Sequence, residues 1–157
     1  MLRIPRKTSV MISIFYSAFL FIVAGAGAIS IPYLADLLID LRNSIGRGDA
    51  ISDGDRVIIY ILAYMVLAVI VGINVLLLFL LFRVRGGQVF TPVSVALLRY
   101  VSWGCFLLCA VFCALAFFFS LSLIVAFAAA FIGFCLRVVK NVLEEATEIK
   151  SENDLTV

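Results

Sequence analysis

The sequence predicts an all-α integral membrane protein with four transmembrane helices and both termini cytoplasmic. Three observations carry this. The 157 residues are 65 % apolar and only 14 % charged, whereas a soluble domain needs nearer a quarter charged residues to solvate its surface. The mean hydropathy is +1.23. Residues 8–35, 57–82 and 100–136 contain no charged side chain at all.

A helix needs about 20 apolar residues to cross the hydrocarbon core. The first two runs therefore cross once each, as helices over about 10–35 and 57–82. "RIPRK" before the first run and "AGAGA" inside it resemble a secretory signal. The apolar stretch continues to Ile31, longer than a signal core, so a retained helix is expected. Its small residues would let a neighbouring helix approach closely.

The third run is too long for one crossing. A break at "FFFSLS", 117–122, divides it into helices over about 92–117 and 122–150. Thr91 can cap the third helix with Pro92 at its first position, where the missing N–H does no harm. Phe90 and Val95 stand where a hydrophobic staple would. Arg99 lies two turns in and can snorkel back to the interface. The fourth helix carries Val138, Val142, Ala146 and Ile149 on one face, with Glu144, Glu145 and Glu148 off it. From 123 to 150 it would measure about 42 Å, roughly 12 Å more than the hydrocarbon thickness. The excess forms a stub leading into the tail, 151–157.

Orientation follows from the basic residues. Arg3, Arg6, Lys7, Arg83, Arg85, Arg99, Arg137, Lys140 and Lys150 fall on one side, against Arg42, Arg47 and Arg56 on the other. The connection 83–91 and both termini are thus expected inside, and a loop over 36–56 outside. All ten acids divide between that loop and the C-terminal part. The whole chain reads as a single membrane domain.

Catalytic chemistry finds little to work with. Histidine is absent, which removes the commonest general base, proton relay and metal ligand. No acid lies at mid-membrane, so neither an enzyme nor a proton-coupled pump is expected. No cofactor or metal is implied. Cys105, Cys109 and Cys113 form one row of the third helix, and Cys135 lies on the fourth. A row on one helix does not surround a metal, and small thiols suit helix packing. Asn74 is the one carboxamide in a crossing helix and is expected to hydrogen-bond to a neighbour.

Among the aspartates of 36–56, Asp49, Asp53 and Asp55 lack the alternation and distal Glu of a calcium loop. Asp36 and Asp40 share a helix face as like charges, and solvation is expected to carry them. A net charge of +2 gives no reason to expect direct nucleic-acid binding.

The inner face is the candidate site. Arg83, Arg85 and Arg99 have no acid beside them in the connection, while Glu152, Asp154 and the terminal carboxylate lie in the tail. An exposed ion pair is worth about 0–1 kcal/mol, so a tail folded back on the arginines would be easily displaced. The same arginines can also meet anionic headgroups, at about 1 kcal/mol each.

The stretches "GGQVFTPVSVALLRYV" (86–101) and "IKSENDLTV" (149–157) resemble the bacterial YoaS-like membrane proteins, a family of unknown function. The matching positions are Gly87, Val89, Phe90, Leu98 and Arg99, with Glu152, Asn153, Asp154, Leu155, Thr156 and Val157 in the tail. The resemblance implies four helices and a bacterial cytoplasmic (inner) membrane. Because genes of that family often neighbour one for a small Cro-like helix-turn-helix regulator, it also implies that regulator as a partner besides the bilayer. A non-enzymatic regulatory or sensory subunit is therefore the expected function. The docking face would comprise Arg83, Arg85, Gly87, Phe90, Arg99 and the tail from Glu152 to its end. An immunity or membrane-protection protein acting through its outer loop is the alternative. A transporter or pore is a weaker one, since a lumen would need several copies; the sequence leaves a homo-oligomer open.

Overall fold

The computed structural model describes residues 6–45 and 51–154, with side chains over 11–45 and 51–152. Four helices follow one another: α1 (Arg6–Ile45), α2 (Asp53–Arg85), α3 (Pro92–Leu115) and α4 (Ser122–Asp154). All four are long and apolar enough to cross a membrane. One end of the molecule, here the terminal end, holds the start of α1, the α2/α3 turn and the end of α4. The other, the hairpin end, holds the α1/α2 and α3/α4 connections.

The bundle is an open one. α1 packs on α2, α2 on α3 and α3 on α4, and among the described residues no other helix pair brings Cα atoms within 8 Å. α3 is the most enclosed, burying Ser94, Val95, Leu98, Val101, Ser102, Cys105, Val111 and Leu115. Elsewhere large apolar side chains point outward: Phe15 is 79 % exposed, Phe117 89 % and Phe127 77 %. In water this surface would be prohibitive; against lipid tails it costs nothing.

Two glycines set the spacing around α3. A Cβ on Gly104 would lie 2.6 Å from Ile73 Cγ1 of α2. A Cβ on Gly133 of α4 would lie 3.3 Å from Cys105 Cβ and from the Phe106 ring. The Ser102 hydroxyl, also buried, donates to the Gly133 carbonyl at 2.9 Å. The expected "AGAGA" contact is looser. Gly27 faces Leu67 Cδ1 at 3.8 Å, and Gly25 has nothing within 4 Å. Close approach therefore belongs to α3, where single glycines lie directly opposite bulky neighbours.

The α1–α2 seam is fastened by polar groups. Ser17 Oγ donates to Asn74 Oδ1 at 2.7 Å, and Asn74 Nδ2 donates to the Ser17 carbonyl at 3.0 Å. Asn74 thus has the cross-helix partner its sequence position demands. Pro32 lies inside α1 and has no N–H to offer the Ala28 carbonyl one turn earlier. The Tyr64 hydroxyl of α2 donates to that carbonyl at 3.2 Å. An orphan carbonyl in hydrocarbon would cost several kcal/mol, so this contact explains how a proline is tolerated there.

The helices overrun the expected boundaries at both ends. α1 continues through 36–45, expected as loop, because Ala35 and Ile39 bury against Ile51 and Ile59, with Tyr60, Phe118 and Phe119 around them. α2 begins at Asp53 because Ser52 and Asp55 form a reciprocal capping box. The connection shrinks to 46–52, of which 46–50 lie outside the described residues. α4 runs to Asp154. Between α3 and α4, the turn at 116–121 closes on short-range bonds such as Phe118 N–H to the Leu115 carbonyl at 3.0 Å and Ser122 N–H to the Phe119 carbonyl at 2.9 Å. It needs neither glycine nor proline.

Gly104→Ala should destabilise the fold by about 1–3 kcal/mol, the usual cost of overpacking, whereas Gly25→Ala should be neutral or slightly stabilising. Unfolding of the two purified variants in a denaturing-detergent titration measures the difference. Equal midpoints would show that the α2–α3 contact does not govern packing.

Candidate functional site

At the terminal end the sequence builds a stiff polar turn. α2 stops in a Schellman motif: Gln88 N–H donates to the Arg83 carbonyl at 3.0 Å and Gly87 N–H to the Val84 carbonyl at 3.2 Å. Gly87 sits at φ +78°, where a side chain would be strained. That is the physical reason for glycine at a position the sequence singled out. Arg83 Nη1 then donates to Gln88 Oε1 at 3.3 Å.

Thr91 caps α3 as expected, its Oγ1 accepting from Ser94 N–H at 3.3 Å. Ser94, fully buried, donates from its hydroxyl to the Gln88 carbonyl at 2.9 Å. Two helix ends and six intervening residues are thereby tied into one unit.

α4 closes the face. Arg99 Nη2 lies 3.2 Å from Glu144 Oε1, and Lys140 Nζ 2.6 Å from Glu144 Oε2. One turn deeper, the Arg137 guanidinium stands 5.3 Å from the Trp103 ring centre and 6.0 Å from that of Phe106, within cation–π range. Phe106 in turn meets Phe134 edge-on at 5.1 Å. Phe90 reaches over to α4, lining with Ala146, Ile149 and Lys150 an open groove of about 340 Å3. Val138, Val142 and Ile149 of the predicted stripe are 63 %, 61 % and 54 % exposed, Ile149 as part of the Phe90 groove.

Arg83, Gly87, Phe90 and Arg99 therefore share one end with the last turns of α4, and Arg85 is exposed beside them. The acid that meets Arg99 is Glu144, on the helix itself. No local spacing announces this role, because the pairing spans two helices. Lys140 four residues before Glu144 was the legible half of it. The Gln88 and Trp103 contacts were also missed, and nothing in local spacing announces them. Glu152 stands on α4 about 12 Å along the axis beyond Glu144. Asn153 and Asp154 continue the helical backbone. Leu155, Thr156 and Val157 lie outside the described residues, as do the side chains of Asn153 and Asp154.

The hairpin end holds a second charged cluster, where solvation alone was expected. Arg56 lies 3.7 Å from Asp36, 3.7 Å from Asp40 and 4.0 Å from Asp53, and the Tyr60 hydroxyl donates to Asp36. A guanidinium between the two like charges of α1 is what makes them compatible. Asn43 Oδ1 accepts from Ile51 N–H at 3.3 Å, closing the connection. Of the cysteines expected to pack between helices, Cys105 is buried and Cys109 half-buried, whereas Cys113 and Cys135 are exposed and do not take that role.

These features define an all-helical protein with four helices fit to cross a membrane and its densest set of polar contacts at the two ends. Over residues 3–157 the chain belongs to the family described as "Protein of unknown function (DUF2975)". No curated protein and no solved structure matches it.

The Arg99–Glu144 pair is half exposed on both sides, so a double-mutant cycle with Arg99→Gln and Glu144→Gln should give a coupling of no more than about 1 kcal/mol, falling as salt is raised. A coupling well above that, or one indifferent to salt, would mean that the pair is a structural lock.

Proposed function

We propose that this chain is a multi-pass protein of the bacterial cytoplasmic membrane, with its terminal end in the cytosol, acting as a non-enzymatic regulatory or sensory subunit. Its docking face consists of Arg83, Arg85, Gly87, Phe90 and Arg99 together with the overhang of α4 and the tail. The partner is a small Cro-like helix-turn-helix regulator, which the resemblance to YoaS-like proteins implies. The bundle holds or releases it according to the state of the membrane.

One observation carries this reading. α4 has 33 residues, about 50 Å of helix, against a hydrocarbon core of about 30 Å. It projects beyond the Schellman turn and offers an exposed apolar residue, Ile149, in the Phe90 groove beside exposed Lys150 and Glu152. A helix with an apolar edge and charged flanks outside the lipid suits a protein partner. The rigid turn beneath it would hold Phe90 and the arginines in place. An exposed Arg99–Glu144 pair can be exchanged for a partner's charges at small cost, which suits reversible binding.

Full-length protein and a chain ending at Lys150 should be compared by capture from the native bacterium in mild detergent. The full-length form is expected to bring down a small DNA-binding protein that the shortened form loses while still inserting. Identical capture by both, or none by either, would contradict the docking role of the tail.

A further inference from the structure

At the hairpin end two cavities run into each other. The inner one, about 330 Å3, lies where α1 and the α3–α4 pair stay apart, and all four helices contribute to its wall. Ala63, Leu115 and Val125 line it, and Ser122 is its one polar residue. The outer one, about 350 Å3, shares Leu38, Phe119 and Leu121 with the first and adds Arg42 and Ser120 at its rim.

Arg42 is set apart from the other charges of this end. Asp36, Asp40 and Asn43 form the α1 face turned to α2, where Arg56 and the Ile51 N–H meet them. Leu38, Arg42 and Ile45 form a different face, with Arg42 two residues and some 200° of helix rotation from Asp40. Among the described residues Arg42 makes no ion pair.

We propose that these joined cavities bind one anionic phospholipid of the surrounding bilayer, with an acyl chain in the inner cavity and the phosphate at Arg42. An apolar slot that opens beside a guanidinium with no ion pair among the described residues matches the two halves of that molecule. Neither the free phosphate nor an uncharged lipid uses both. A lipid here would also extend the contact that Phe118 and Phe119 of the α3/α4 turn already make with the buried residues of α1. The proposal rests on membrane insertion but not on the regulatory role, so failure of one leaves the other standing.

Full-length protein in mild detergent, offered equal phosphatidylglycerol and phosphatidylcholine, should retain one phosphatidylglycerol by native mass spectrometry. The expected preference is about fivefold, the advantage one basic side chain gives an anionic headgroup. Arg42→Gln should abolish that preference while some lipid of either kind still binds. Ala63→Phe, which fills the inner cavity, should remove the retained lipid of both kinds. Equal retention of the two lipids by the unaltered protein, no retained lipid, or an undiminished preference in Arg42→Gln would overturn the proposal. Should Ala63→Phe fail to fold, the Arg42→Gln comparison decides it alone.

Discussion

Everything in this molecule depends on how closely α3 can be approached. Gly104 lets Ile73 of α2 come against the α3 backbone, and Gly133 lets Cys105 and Phe106 of α3 come against α4. Within hydrocarbon no water is released when helices meet, so association relies on van der Waals fit and hydrogen bonds between them. Small residues are what make that fit available. With both sides of α3 occupied, α2 is the one helix α1 packs on, Phe118 and Phe119 of the α3/α4 turn meet it only at the hairpin end, and the bundle stays open.

That openness explains the polar seam of α1. A helix packed on one side gains little from shape, and it is secured instead by the Ser17–Asn74 exchange and the Tyr64 bond to the carbonyl that Pro32 leaves without its N–H. Arg56 with Asp36 and Asp40 finishes the seam at the hairpin end. Contacts of this kind average only about 0.6 kcal/mol each in membranes, so α1 is the helix most easily shifted. One weakly held helix and one rigid turn at the opposite edge suit the sensory role proposed above.

Much of the fold was legible in the sequence, because a crossing helix leaves an apolar run that no loop imitates. Thr91 with Pro92 marked the start of α3 for a local reason, and the structure has the same cap. The ends of α1 and α2 were misjudged for a physical reason. Charge suggests a loop, yet Asp36 and Asp40 lie on a helix whose neighbouring positions Ala35 and Ile39 are buried. The Ser52–Asp55 capping box was a signal in plain view. The candidate site was only half visible: Gly87, Phe90 and Arg99 do gather at one end, but Glu144, Gln88 and Trp103 complete it through contacts between helices. No one-dimensional pattern encodes those.

The account stands on the terminal end facing the cytosol, since a docking face on the other side of the membrane could meet no cytosolic regulator. Fusing green fluorescent protein and, separately, alkaline phosphatase to the C-terminus in a bacterial host tests this most directly. A cytosolic C-terminus gives a fluorescent, membrane-bound first fusion and an inactive second one. An active phosphatase with a dark fluorescent fusion would place α4 and its tail outside and contradict it.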